Sequence, residues 1–142
     1  MEWMVDFARI VRESTLKRLG QVKAEDRSWR AGAGAWSFAE VLAHLIEVDR
    51  WLLERLDGKA VPDVEPHPGT GARMDWDQGI AEFQRLGRER RRRIGRLIGT
   101  DLAATAPGGI DGFTLWELTF RRTLDHEIHH RGGLQLMLRY GA

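Results

Sequence analysis

The sequence predicts an all-α protein, a four-helix bundle, and three observations carry that expectation. Four segments repeat apolar residues at three- and four-residue steps. Capping-box sequences open the second and the last of them. No segment alternates apolar and polar residues with period two for long enough to make a strand. Helices of about 20 residues, about 30 Å each, suit one bundle. The length of 142 residues agrees with a single domain over 1–142.

The first helix is predicted over about 3–22, where Val5, Ala8, Val11, Thr15, Leu19 and Val22 form the apolar stripe. Residues 24–36 are rich in glycine and charge and read as a loop. Ser37-Phe-Ala-Glu40 then offers a hydroxyl to the N3 amide and a carboxylate back to the cap, so a second helix starts there. It runs to about Asp57, with Gly58 as its stop. Pro62, Pro66, Pro68, Gly69 and Gly71 crowd residues 58–74, which predicts a long crossover loop between helices 2 and 3. The third helix is expected from about Asp75, with Gln78 at the box position, to near Gly99. After a loop containing Pro107, Thr114-Leu-Trp-Glu117 opens the fourth helix, which runs to about Tyr140.

Composition narrows the function. With 22 Lys+Arg against 21 Asp+Glu, the formal net charge is +1, so bulk electrostatics offers no argument for nucleic acid or a membrane surface. The absence of cysteine excludes disulfides, thiolate metal sites and a cysteine nucleophile. No apolar run approaches the ~18 residues of a membrane span. Met1 to Asp6 lack a basic stretch followed by an apolar one, so a cytoplasmic location is expected.

The histidines carry the chemistry. Of His44, His67, His126, His129 and His130, only His67 falls in a predicted loop. His126 and His130 are four residues apart, so one lies a turn above the other on one helix face, a spacing at which two imidazoles reach one metal ion. His129 points to the edge of that face. Thr119, Thr123, Gly133 and Met137 share the His126 direction as small or soft neighbours, and Arg122 falls there too. His44 sits inside Val41-Leu-Ala-His-Leu-Ile46 and points to the core, with Glu40 and Glu47 one turn away to take one ring N–H and fix the tautomer. A plain hydrogen-bonded core histidine is the alternative for His44, and a chance pair the alternative for His126 and His130. A bundle brings inward positions of different helices to one place, which favours a shared site.

These stretches resemble the DinB/YfiT-like family of four-helix metalloenzymes. The resemblance rests on Trp36-Ser-Phe-Ala-Glu-Val-Leu-Ala-His44-Leu and on Asp125-His-Glu-Ile-His-His-Arg-Gly132, and it covers nearly the whole chain. It implies a divalent site at His44, His126 and His130, filled by nickel, zinc or a related ion with water in the remaining positions, and often a homodimer. It also implies a small-molecule substrate, because relatives in the wider superfamily include S-transferases and isomerases that use low-molecular-weight thiols.

Three neutral imidazoles leave open positions on a divalent ion, which is the catalytic pattern. Two reactions are then expected as alternatives, activation of a thiol co-substrate in a transferase and hydrolysis through an activated water. A non-enzymatic metal-binding protein of the stress response is the third. Glu47 and Arg122 are the candidate catalytic side chains, the first to orient His44 or accept a proton, the second to hold an acidic group of the substrate. A fourth ligand such as His129 or Glu47 would mark a structural metal. The basic run at 88–93 reads as a solvated helix face. Leu124 and Ile128 lie opposite the His126 face, and a dimer partner is expected to cover them.

Overall fold

The computed structural model describes residues 2–64, 73–108 and 112–141. Helix α1 is Glu2–Leu19, α2 is Phe38–Leu56 and α3 is Trp76–Gly95. The last rod begins as a π-wound segment, Glu117–Asp125, and continues as α4, His126–Tyr140. Among the described residues there is no strand beyond an isolated bridge between Thr105 and Thr114.

Local chemistry fixes the starts. Ser37 N–H donates to Glu40 Oε2 at 2.7 Å, and Glu40 N–H donates to Ser37 Oγ at 3.2 Å. The same reciprocal pair forms at Thr114 and Glu117, at 2.8 and 3.1 Å. Asp75 accepts from the Gln78 amide at 2.8 Å and opens α3. Two helices stop earlier than their periodicity suggests. Gly20 ends α1 at Leu19, because glycine weakens the next turn; Val22 still reaches the core, 7 % exposed, from outside the helix. α3 ends at Gly95, and residues 96–99 form turns that close on Gly99 at φ +89°.

Contacts between helices set the topology. α1 packs on α3 and α4, and α2 packs on α3, on the π-wound segment and on α4. Leu42 lies by Gly79, Arg50 meets Glu82 and Asp57 meets Arg93, so α2 and α3 run parallel. Trp3 meets Trp116, Phe7 stacks on Phe120 and Arg12 meets Glu127, so α1 and α4 also run parallel. The order is up, down, down, up. Parallel neighbours cannot be joined by a short turn, and α2 ends at Leu56 whereas α3 begins only at Trp76. Residues 65–72 of the connection, with His67, lie outside the described residues.

The interior is layered. At one end Leu19, Phe38, Leu42, Phe83, Leu86 and Leu134 form the larger apolar cluster. At the other, Met4, Ala8, Ile94 and Leu124 form one smaller cluster, and Trp51, Leu52, Leu115 and Leu118 another. Between them lies a layer of charge, with one residue from each helix. Arg12 donates to Asp49 at 2.6 Å and to Glu127 at 3.1 and 3.0 Å. Arg90 pairs with Asp49 at 2.8 Å and Glu127 at 2.7 Å. All four are buried. Two guanidinium groups and two carboxylates cancel, and each carboxylate meets both cations, the condition under which buried charge is tolerated. Gly87 makes room for the crossing: a Cβ there would sit 2.9 Å from Arg12 Nη1. Arg12 continues under the Phe83 ring, its guanidinium carbon 3.5 Å from the centroid, and donates to the Phe83 carbonyl.

Two expectations change here. The 88–93 run is not wholly a solvated face, since Arg90 is 1 % exposed within the ionic layer. Leu124 needs no partner chain, because Met4, Ala8 and Ile94 cover it within the same bundle.

Candidate metal centre

The sequence places His44 at mid-α2 and His126 and His130 on the first turns of α4, and α2 and α4 pack antiparallel across a shared face. The three rings converge. His44 Nε2 lies 3.1 Å from His126 Nε2, and His126 Nε2 lies 3.1 Å from His130 Nε2. One ligand atom from each of the three falls within 4.8 Å of the others, so the cluster could hold a metal ion. Two nitrogens at about 2.0–2.1 Å from one ion would be separated by about 2.9 Å at a right angle and about 3.3 Å at a tetrahedral one. The observed 3.1 Å falls between these.

Hydrogen bonding alone satisfies the cluster poorly. A ring nitrogen offers either one N–H or one lone pair. His126 Nε2 therefore serves only one of its two neighbours well, whereas a cation at the centre would use all three lone pairs. The rings are also kept neutral, as ligation requires. Burial first, then the neighbouring His130, lowers the His44 pKa to about 4. Burial lowers His126 to about 4, helped by His44, His129 and Arg122. Burial, His126 and His129 do the same for His130.

These shifts make the metal-free fold pH-sensitive. A histidine with a lowered folded pKa binds its proton more readily in the unfolded chain, so stability falls as pH drops from 6.5 toward 4. Glu127 enters only lower. Its carboxyl is pushed up by burial, but Arg90 and Arg12 outweigh that and hold it below the usual 4.5. Urea unfolding of metal-free protein is thus expected to show a decline between pH 6.5 and 4.5. A flat profile there would mean the imidazoles are not buried as a neutral group.

Trp36, just ahead of the α2 cap, backs the cluster. Its ring stacks on His130 with 5.5 Å between centroids and 12° between planes, and it meets His44 edge-on at 4.8 Å. Beside the rings opens a cavity of about 510 Å³, with Trp36, Val48, Trp51 and Val64 as its apolar wall and Asp63, Arg121, Arg122 and His129 completing it. That size suits a small molecule.

The other candidates distribute unevenly. Glu47 is not brought to His44; it lines a separate cavity with Arg50, Arg73 and Glu82. Glu40 is engaged by its capping box and by Arg30 at 2.6 Å. The buried Nδ1 atoms of His44 and His126 have no hydrogen-bond partner among the described residues. His129 is exposed, and neither it nor Glu47 joins the cluster. Arg122 does line the cavity, but it pairs with Asp63 and lies over the Phe113 ring at 5.2 Å.

The π winding explains what an α-helical reading of the last helix misplaces. Thr123 Oγ1 lies 2.7 Å from both the Leu118 and the Thr119 carbonyl, which share its one proton, and Thr119 Oγ1 donates to the Leu115 carbonyl at 2.6 Å. Such back-bonding goes with a widened ladder. Thr119 and Thr123 therefore turn into the protein interior and are buried, rather than leaving space beside the imidazoles. Met137 packs on the larger apolar cluster. Arg121, five residues before His126, reaches the cavity wall instead.

The sequence reading missed the ionic layer, although a signal was present. Arg12, Asp49, Arg90 and Glu127 each occupy an apolar-stripe position of their helix, such as Asp49 between Leu45 and Leu52. A charge on every stripe at one level of a bundle calls for mutual pairing.

Comparison with known proteins agrees with this architecture. A family model described as the DinB superfamily matches residues 8–134, a span holding all three histidines and all four charged-layer residues. No curated protein and no solved structure matches the chain.

Proposed function

The chain belongs to the DinB superfamily, and on that premise we propose that it is a divalent-metal-dependent enzyme acting on a small molecule in the cytoplasm. His44, His126 and His130 would hold the ion, nickel or zinc, and the co-substrate is a low-molecular-weight thiol in an S-transferase-like reaction. The observation that carries this reading is the convergence of three neutral imidazoles, at 3.1 Å spacings, on the wall of an open cavity. When bound, an ion with three neutral ligands keeps its full charge and exchangeable positions, which lowers the pKa of a thiol or water from outside.

The chain's own residues do the rest. Burial holds the rings deprotonated near neutral pH, and Trp36 fixes the planes of His130 and His44. Trp51 and Val48 exclude water from one side of the cavity. Arg122, paired with Asp63, shapes the wall. Any thiol comes from outside, since the chain has no cysteine. The hydrolase reading uses the same residues, and the reactions separate only by substrate.

The test is spectroscopic. Co²⁺- or Ni²⁺-loaded protein should develop sulfur-to-metal charge-transfer bands on addition of small thiols, and His130→Ala should not. Turnover of an ester or amide without any thiol effect would replace the transferase by the hydrolase. A loaded protein with no exchangeable position would replace both by a metal-binding protein.

A homodimer belongs to the same reading. Its support is the large apolar side chains left open within one chain, Trp3 at one end of the bundle, 51 % exposed, and Leu136 and Tyr140 towards the other, 58 % and 73 % exposed. Sedimentation at micromolar concentration should give twice 16.2 kDa; a single species of 16.2 kDa would refute the dimer.

A further inference from the structure

The cavity beside the imidazoles carries one feature that metal binding does not use. Three of its lining residues are formally charged: Asp63, Arg121 and Arg122. Asp63 and Arg122 neutralise each other, and Arg122 is further held against Phe113 and Trp51. Arg121 is left. It is exposed and makes no ion pair or hydrogen bond with any described residue, including Asp125 one turn on. The winding of Glu117–Asp125 has brought it to the wall that holds His126. Among the described residues, the mouth thus has one unmatched guanidinium above an apolar wall, an arrangement that selects for an anion with an apolar body.

The geometry of the donor narrows the anion. A single guanidinium presents a planar fork that fits one carboxylate with two parallel hydrogen bonds. A phosphate dianion would leave charge unmet, because the second arginine is already paired. We infer that the cavity takes a small molecule bearing a carboxylate, which Arg121 binds at the mouth while the apolar part lies against Trp51 and Val48. This rests on reading the cavity as the substrate site, and it names the class of substrate. Arg121 is its specificity-determining residue, in the role expected of Arg122 from the sequence.

Phenylacetate and phenylacetamide share their shape and apolar body, and only the first offers a charged carboxylate. Titrated into the metal-free full-length protein and followed by the indole N–H resonances of Trp36 and Trp51, the acid should bind about 10-fold more tightly than the amide, as a charged hydrogen-bonded pair allows. Arg121→Gln should bring the two within about 2-fold of each other, and Arg121→Lys should retain part of the preference. Arg121 is exposed, so neither variant should alter the circular dichroism spectrum. Equal binding in the wild type, a preference that survives Arg121→Gln, or no response of either indole to either compound would overturn the inference. A parallel titration with Zn²⁺ alone keeps the two readings apart. Carboxylate preference without metal binding would refute the proposed metal function only, and metal binding without carboxylate preference would refute this one only.

Discussion

Glu127→Ala is expected to destabilise the protein by about 3–5 kcal/mol, the range for breaking a buried ionic group by removing one member. The variant leaves Arg12 and Arg90, both buried, with Asp49 as their only carboxylate in the layer. Both guanidinium groups are buried, so solvent does little to replace the lost charge. For a chain of this size the loss corresponds to about 10–20 °C in Tm. Asp49→Ala should behave alike, since Asp49 also touches both arginines. Exposed pairs give the contrast: Arg85→Ala, which removes one of the two arginine partners of Glu82 at the surface, should leave the unfolding midpoint close to that of the wild type. Urea unfolding of metal-free protein measures all three. A loss below about 1 kcal/mol for Glu127→Ala would mean that the layer is hydrated and not a buried unit.

His126→Ala is expected to weaken Zn²⁺ or Ni²⁺ binding by more than about 100-fold, beyond the 10–100-fold that follows loss of an outer partner of a metal ligand. His126 is the central ring of the cluster, the one whose Nε2 meets both others at 3.1 Å. His130→Ala and His44→Ala should fall in the same range. His129→Ala should change binding by no more than a few-fold, because its ring lies outside the group that converges. Competition against a chelating dye gives the constants, and circular dichroism shows whether each variant is folded. A wild type that takes up no stoichiometric metal, or a His126→Ala variant that binds as the wild type does, removes the basis of the proposed function.

What could be read beforehand was what is local in sequence. Ser37 with Glu40 and Thr114 with Glu117 are three residues apart, so their reciprocal hydrogen bonds depend on little beyond one turn of chain. His126 and His130 are likewise one turn apart, and the apolar neighbours of His44 already point it inward. Arg90 was hidden because it stands among other arginines, and only the packing of four helices distinguishes it from Arg92, which is exposed and paired with Glu89. The π winding was hidden for a different reason. Nothing in the order of residues from Glu117 to Asp125 departs from an α-helical pattern, yet the altered pitch moves Arg121 to the cavity and Thr119 and Thr123 into the interior. Glu47 shows the converse error: proximity in sequence put it one turn from His44, but the side chain faces another cavity.

The ionic layer also sets an order of events in the life of the chain. Arg12 and Glu127 are 115 residues apart, so at about 5–20 residues per second the first helix waits about 6–23 s on the ribosome for its partner. Once Arg90 has been made, and until Glu127 follows, the first three helices hold two guanidinium groups against Asp49 alone, an arrangement that water must keep company. The nascent chain can form helices and collapse loosely, but it cannot dry its centre until the last helix has emerged. Native packing of this bundle therefore waits for its last helix, and a chain truncated ahead of residue 127 should be a target for chaperones and proteases rather than a smaller folded domain.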